Sequence, residues 1–333
     1  MNYLVWGSLM LRIVCSLLLI ALTLTAGAQV EFQAQGRASG PTVGSRQMAN
    51  SIEISVHQQP IATYVFNDPD IHRPYFHSLK TPKGEPVTRN HPPIEGKDLT
   101  DHARFHPGLW MAFGDINGQD YWRNRAKVKH IRFLQPLKPG DQAASFTVLN
   151  HYLNEDQVVC EEECTIRITD DDDGVYLLWR SIFYSQNQSF YFGDQEEMGL
   201  GIRMATPLIA ENEGVILNQQ GGRNEEEVWG KQSPWCAYYG KNQAGETVGA
   251  LLMTAPSNFR PSWFHARDYG LLTANPFGRR AFTDQSASIV TVEKGERFRL
   301  EFGVYLFQKE SVNLDFFESK YRHYTSHLLK SDR

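Results

Sequence analysis

The chain has 333 residues, 41% hydrophobic and 12% aromatic, with 26 Gly, 16 Pro, four Cys and a formal net charge of -5. That mildly acidic balance, with no basic stripe to neutralise phosphates, excludes nucleic acid as a partner. After the first 28 residues no apolar run approaches the roughly 20 residues of a membrane-spanning helix, so no membrane span is expected.

In chain order, Arg12 precedes an apolar run from Ile13 to Leu24 that closes on Ala26-Gly27-Ala28. This is the layout of a cleavable signal peptide over residues 1–28, and it predicts a secreted or periplasmic protein. Cys15 follows Arg12-Ile13-Val14 rather than the small residues of a lipidation site and reads as part of the apolar run. Residues 29–45 are small and polar with little periodicity, which predicts a flexible lead-in. Residues 46–330 are then expected to form a single large domain.

Within that domain Ile52-Glu53-Ile54-Ser55-Val56, Ala144 to Val148, Cys164 to Ile168 and Phe298 to Phe302 alternate apolar and polar residues, the period of half-buried strands. Val175 to Phe183 and Thr247 to Met253 read as more fully buried strands. Lys83-Gly84, Asn117-Gly118, Asp170 to Gly174 and Lys294-Gly295-Glu296 mark turns. Helical spacing appears only over Ser311 to His327, with Leu314, Phe317 and Tyr321 on one stripe. The fold class predicted is all-β, a large antiparallel β-sandwich with a short C-terminal helix. Cys160 and Cys164 share a strand face but lie about 13 Å apart, too far to bridge. Either one pairs with Cys236, or all three are buried thiols.

Four segments concentrate chemistry. In Thr88-Arg89-Asn90-His91-Pro92-Pro93 the prolines prevent strand pairing and fix His91 on a loop. Between Asp101 and Trp122, two histidines (His102, His106), two tryptophans (Trp110, Trp122) and three acids fall within 22 residues, alongside Asn117. A pyranose demands this mixture, because its apolar face stacks on Trp and its hydroxyls need paired donors and acceptors. A metal is the weaker reading of His102 and His106, since Pro107-Gly108 interrupts the helix on which an i, i+4 pair converges. In the third segment Glu196 or Glu197 is the candidate general acid or base, with Arg203 or Lys231 to hold it ionised. In the fourth, His265, Arg267 and Tyr269 share a strand face before Asn275.

Six blocks resemble the PmoA-like proteins: Arg73-Pro74-Tyr75; Thr88 to Pro93; Asp101-His102 with Gly108-Leu109-Trp110; Gly114-Asp115-Ile116-Asn117-Gly118; Glu225 to Lys231; and Arg267-Asp268-Tyr269-Gly270. Where that family tends to show Asp-His-Pro-His-His-x-Gly, Phe105 breaks the doubled histidine here. The family's methane oxygenase label requires several long apolar spans that this chain lacks. By analogy of fold, the architecture looks like the large sandwich of galactose mutarotase-like enzymes. This implies His91, His102 or His106 as proton donor and Glu196 or Glu197 as base. Arg89, Asp115, Asn117, Lys231, His265, Arg267 and Asn275 would bind substrate, and Trp110 or Trp122 would provide the stacking platform. The expected activity is isomerisation, hydrolysis or elimination of a carbohydrate. No tightly bound redox cofactor is expected, since no Gly-rich dinucleotide or phosphate loop appears. The alternatives are a non-catalytic carbohydrate-binding protein, or a metal-dependent oxygenase with copper or iron on His102 and His106.

Overall fold

The computed structural model describes residues 42–141 and 143–329; the expected signal peptide and most of the lead-in lie outside the described residues. In chain order the strands are β1 (Val43–Gln47), β2 (Ser51–Val56), β3 (Gln59–Val65), β4 (Tyr75–His77), β5 (Leu109–Phe113), β6 (Lys127–Lys138), β7 (Ala143–Asn154), β8 (Gln157–Asp171), β9 (Gly174–Tyr184), β10 (Phe190–Phe192), β11 (Met198–Arg203), β12 (Val215–Asn218), β13 (Trp235–Lys241), β14 (Thr247–Thr254), β15 (Trp263–Arg267), β16 (Leu271–Asn275), β17 (Val290–Val292) and β18 (Phe298–Lys309). Three short helices interrupt them: α1 (Asn224–Val228), α2 (Arg279–Phe282) and α3 (Leu314–His323).

Two eight-stranded antiparallel sheets result, sheet I in the order β1-β2-β3-β4-β5-β11-β16-β15 and sheet II in the order β12-β13-β14-β18-β9-β8-β7-β6. They pack face to face, with Tyr64 of β3 against Phe146 of β7 (4.9 Å between ring centres) and Phe113 of β5 against Phe183 of β9 (5.4 Å). The alternation dictates this. In β2 the buried residues are Ile52, Ile54 and Val56, while Ser51, Glu53 and Ser55 face the partly wet side. β1 pairs with β2 along Val43–Gln47, so the sheet already includes Val43 to Ser45 of the segment expected as a lead-in. Val43 seals the end of the core with no exposed surface.

β14 and β18 are buried on both faces, as the continuous apolar reading of Thr247 to Met253 requires. Their outer faces carry Leu251, Met253, Tyr305 and Phe307, covered by Phe317, Tyr324 and Leu328 from α3 and the turn of π-helix after it. The helix starts at Leu314, three residues after the expected Ser311, with the Asn313 side chain accepting from the Phe316 N–H (2.9 Å). Its buried stripe is shifted towards the C-terminus, however: Leu314 sits at the exposed first turn and is 41% accessible. Cys160, Cys164 and Cys236 are buried free thiols. Glu162, between the two β8 cysteines, points into the core, where the Ser181 hydroxyl and the Asn150 amide donate to it, and burial pushes its pKa up. Among the described residues no helix is long and apolar enough to cross a membrane.

Sheet I leaves its outer face to a different kind of cover. The loops between β4 and β6 fold over it, burying Ile71, Tyr75, Trp110, Ala112, Trp122 and Leu271 in a small second layer. Gly108 permits the entry into β5, because a Cβ there would lie 2.3 Å from the Phe76 carbonyl oxygen.

Candidate functional site

Alternation along β5, β11, β16 and β15 sends Met111, Leu200, Leu272 and Phe264 into the core and leaves the residues between them on the outer face. Register then aligns four of these in one row: Trp110 opposite Gly201, Gly201 opposite Thr273, and Thr273 opposite His265. Trp110 Nε1, Thr273 Oγ1 and both ring nitrogens of His265 are buried without a protein hydrogen-bond partner. Each such group costs about 1–3 kcal/mol if it stays unpaired. Several in one row depart from the usual pairing of buried polar groups and call for an explanation other than stability. Gly201 makes the row possible, since a Cβ there would meet the Trp110 ring at 2.8 Å and Thr273 Oγ1 at 3.2 Å. Gly201→Ala is expected to push Trp110 aside and cost about 1–3 kcal/mol, measurable by urea denaturation together with a change in tryptophan fluorescence.

Glu196 overhangs the His265 end of the row, its Oε2 lying 3.6 Å from His265 Nε2 and 3.4 Å from Arg267 Nη2. Arg267 uses its other amino group to bind Glu225 Oε1 (2.5 Å), and its guanidinium lies over the Trp229 ring. Glu225, on α1, is locked in turn by the Asp268 backbone N–H, which donates to its carboxylate at 3.2 Å. Burial, reinforced by the Arg267 cation and opposed only by the Glu196 backbone, lowers the His265 pKa to about 3. His265 is therefore a neutral imidazole at physiological pH. Asn275 holds Glu196 in place: its amide donates to the Gln195 and Glu196 carbonyls (2.7 and 3.0 Å) and its oxygen accepts from the Phe277 and Gly278 N–H groups. Both donors and both acceptor sites are thereby used, so Asn275 positions Glu196 instead of binding a hydroxyl as expected.

The opposite end is an ionic knot. Arg203, 1% exposed, grips Asp101 with two hydrogen bonds of 2.9 and 2.7 Å. This guanidinium, with help from His102 and Arg89, lowers the Asp101 pKa to about 2. Over it the rings of Trp110, His106, His102 and Tyr269 form a near-parallel stack with centres 5.1, 5.0 and 6.2 Å apart. Arg89 binds the carbonyls of Leu99, Asp101 and His106, fixing the loop that carries the stack. Arg89, expected to bind substrate, braces that loop. Neither tryptophan offers the expected open platform: Trp110 is covered by His106, and Trp122 lies edge-on against both, 1% exposed. His102 Nδ1 is engaged by Asp101, while His106 is kept neutral by burial and by Arg203, Arg73 and Arg89 around it. Stacked rings in so cationic a setting do not converge as metal ligands do. Among the described residues no group of three or more His, Cys, Asp or Glu is arranged to hold a metal ion.

The remaining expected site residues are dispersed. His91 packs on Tyr75 and His77 (ring centres 5.3 and 6.0 Å), and burial lowers its pKa to about 4. Glu197 is paired with Arg123. Asp115 and Asn117 build a turn, accepting from the Gly118 and Tyr191 N–H groups. Lys231 lines a separate cleft of about 500 Å³ with Asn218, Glu227 and Gln232. Thr273, Gly201 and Glu225, by contrast, belong to the site without having been assigned to it from sequence, and Arg203, expected to hold Glu196 or Glu197 ionised, holds Asp101 instead. The alternation Gly199-Leu200-Gly201-Ile202-Arg203, small or charged against apolar, was the signal available for β11.

Comparison with known proteins adds the following. No curated protein matches the chain. Among solved structures it is similar to a galactose mutarotase-like protein from Clostridium acetobutylicum, at 9% identity and a TM-score of 0.42, covering 81% of this chain and 99% of that one. It is also similar to a galactose mutarotase-like protein from Lactobacillus casei (9% identity, TM-score 0.34, 79% and 99% covered). A Glycoside Hydrolase Family 97 enzyme from Pseudoalteromonas sp. strain K8 matches at 10% identity and a TM-score of 0.35 over 81% of this chain, which spans 34% of the enzyme's length. The resemblance to PmoA-like proteins is corrected by the family comparison: its motifs are short blocks, and the family that matches over most of the chain is a different one. Over residues 51–315 the chain matches, and so belongs to, the family described as Family of unknown function (DUF6807).

Proposed function

We propose that this chain binds a sugar-like polyol on the outer face of sheet I and moves a proton on it with Glu196. The observation that carries this reading is the row of buried, unpaired Trp110 Nε1, Thr273 Oγ1 and His265 nitrogens ending beneath the Glu196 carboxylate. Hydroxyls both donate and accept, so adjacent hydroxyls of one ring suit a threonine hydroxyl and a neutral imidazole together. Glu196 is the base. His265, held neutral, donates a hydrogen bond to the oxygen on which negative charge develops, and does not itself carry the proton. That division of labour suits isomerisation or elimination. The pattern of Arg12, the Ile13–Leu24 run and Ala26-Gly27-Ala28 supports placing this activity in the periplasm or outside the cell.

The test is calorimetry and thermal shift of the purified chain with monosaccharides and short oligosaccharides. A bound sugar at about 100 times its dissociation constant stabilises the fold by about 2.7 kcal/mol. Thr273→Val, which keeps the shape and removes the hydroxyl, is expected to weaken binding about tenfold. Glu196→Gln is expected to keep binding and lose turnover. Turnover surviving in Glu196→Gln would leave a binding role alone for that residue, and the absence of any sugar-induced shift would overturn the reading.

A further inference from the structure

We infer that the site selects sugars by charge, taking an amino-substituted sugar in preference to its neutral counterpart and rejecting a sugar acid. The inference rests on the sugar reading above and deepens it. Arg203 and Arg267 already have carboxylates of their own, and Arg73 and Arg89, which flank the Trp110 end, are spent mainly on backbone carbonyls. Arg203 is held in two hydrogen bonds by Asp101, and Arg267 is shared between Glu196 and Glu225. Around the His265 end, one cation, Arg267, stands against three carboxylates, Glu196, Glu225 and Asp268, with His265 uncharged between them. Arg123, the next cation along the 195–197 turn, is taken up by Glu197 and Asp120. The excess is therefore negative, and it is accessible: the side chains of Glu196 and Glu225 are 38% and 36% exposed.

A ligand carboxylate would have to displace a resident carboxylate from Arg267 or Arg203 and would sit beside the others. An ammonium group requires no displacement. It meets Glu196 directly while the neighbouring hydroxyls of the same ring reach Thr273 and His265. The two carboxylates on Arg267 thus act as a charge filter at the mouth of the polyol row.

The experiment is calorimetry on the full chain with matched trios of hexosamine, neutral hexose and uronic acid in the gluco, galacto and manno series, at low and high salt. In the series that binds, the amine is expected to bind up to about fivefold more tightly than the neutral sugar, as partly exposed charge pairs allow. The acid, set beside like charges, is expected to bind about tenfold or more weakly than the neutral sugar. Both differences should shrink as salt is raised. Glu225→Gln, which removes the charge and keeps one acceptor for Arg267 or the Asp268 N–H, should reduce the amine preference; should that variant misfold, the salt dependence alone decides. Equal affinities across a trio, or tighter binding of the acid, would overturn charge selection and leave the sugar reading standing. Failure of every trio to bind would overturn both.

Discussion

Asp101→Ala is expected to destabilise the fold by about 3–5 kcal/mol, more than Arg203→Met, although the two remove partners of the same ion pair. The asymmetry follows from where each charge is left. Asp101 is 37% exposed, so without Arg203 its carboxylate turns to water. Arg203 is 1% exposed and lies near a second buried cation, Arg89, that borrows the same carboxylate. Removing Asp101 strands two guanidiniums in a low-dielectric layer. Arg203→Met conserves much of the side-chain volume and leaves Arg89 still paired with Asp101, so about 1–2 kcal/mol is expected from the lost contacts with Tyr269 and the loop. Chemical denaturation of both single variants and of the double variant decides the matter. The double variant should recover part of the Asp101→Ala loss, and a larger loss from Arg203→Met than from Asp101→Ala would contradict this account of the knot.

His265→Gln is expected to protect the protein against acid while abolishing the polyol function. His265 has a folded pKa of about 3, well below the ordinary imidazole value. A depressed pKa contributes stability that is fully present above the unfolded value near 6.5 and is lost as pH falls towards 3, because the unfolded chain binds the proton first. At about 1.4 kcal/mol per unit, the loss across that window is on the order of several kcal/mol. His106, also kept neutral by burial, adds to it in the same direction. Glutamine does not titrate, so the stability difference between wild type and variant should change steadily between pH 6.5 and pH 4, with the variant gaining. A companion titration of ligand affinity in the wild type should show no step near pH 6.5, where an ordinary histidine would change charge. A step there would mean that His265 is not held neutral and that the hydrogen-bond role given to it fails.

Much of the architecture was legible before any coordinates. Ile52 to Val56 and Cys164 to Ile168 carry a period of two, and β2 and β8 bury the residues that period selects. The apolar run from Thr247 to Met253 announced a strand covered on both sides. The candidate site was less legible. His91 and the His102–His106 pair drew attention because loops dense in His and Trp look chemical, yet His91 packs on Tyr75 and His77, and His106 lies beneath His102 in a ring stack. Asn275 and Arg89 were expected to bind substrate. Their partners are carbonyls and N–H groups of the protein, which sequence spacing does not reveal.

What the sequence by itself determined is whatever a local period decides: a β-rich chain, which face of each strand is apolar, and one amphipathic helix at the end. Only the tertiary structure decided that Trp110, Gly201, Thr273 and His265 stand side by side and that Glu196 closes over them. The reason is physical. Facing within a strand is set by neighbours two residues apart, whereas the order β5-β11-β16-β15 and its register are set by how distant strands satisfy each other's backbone and core faces. No short window of sequence contains that information.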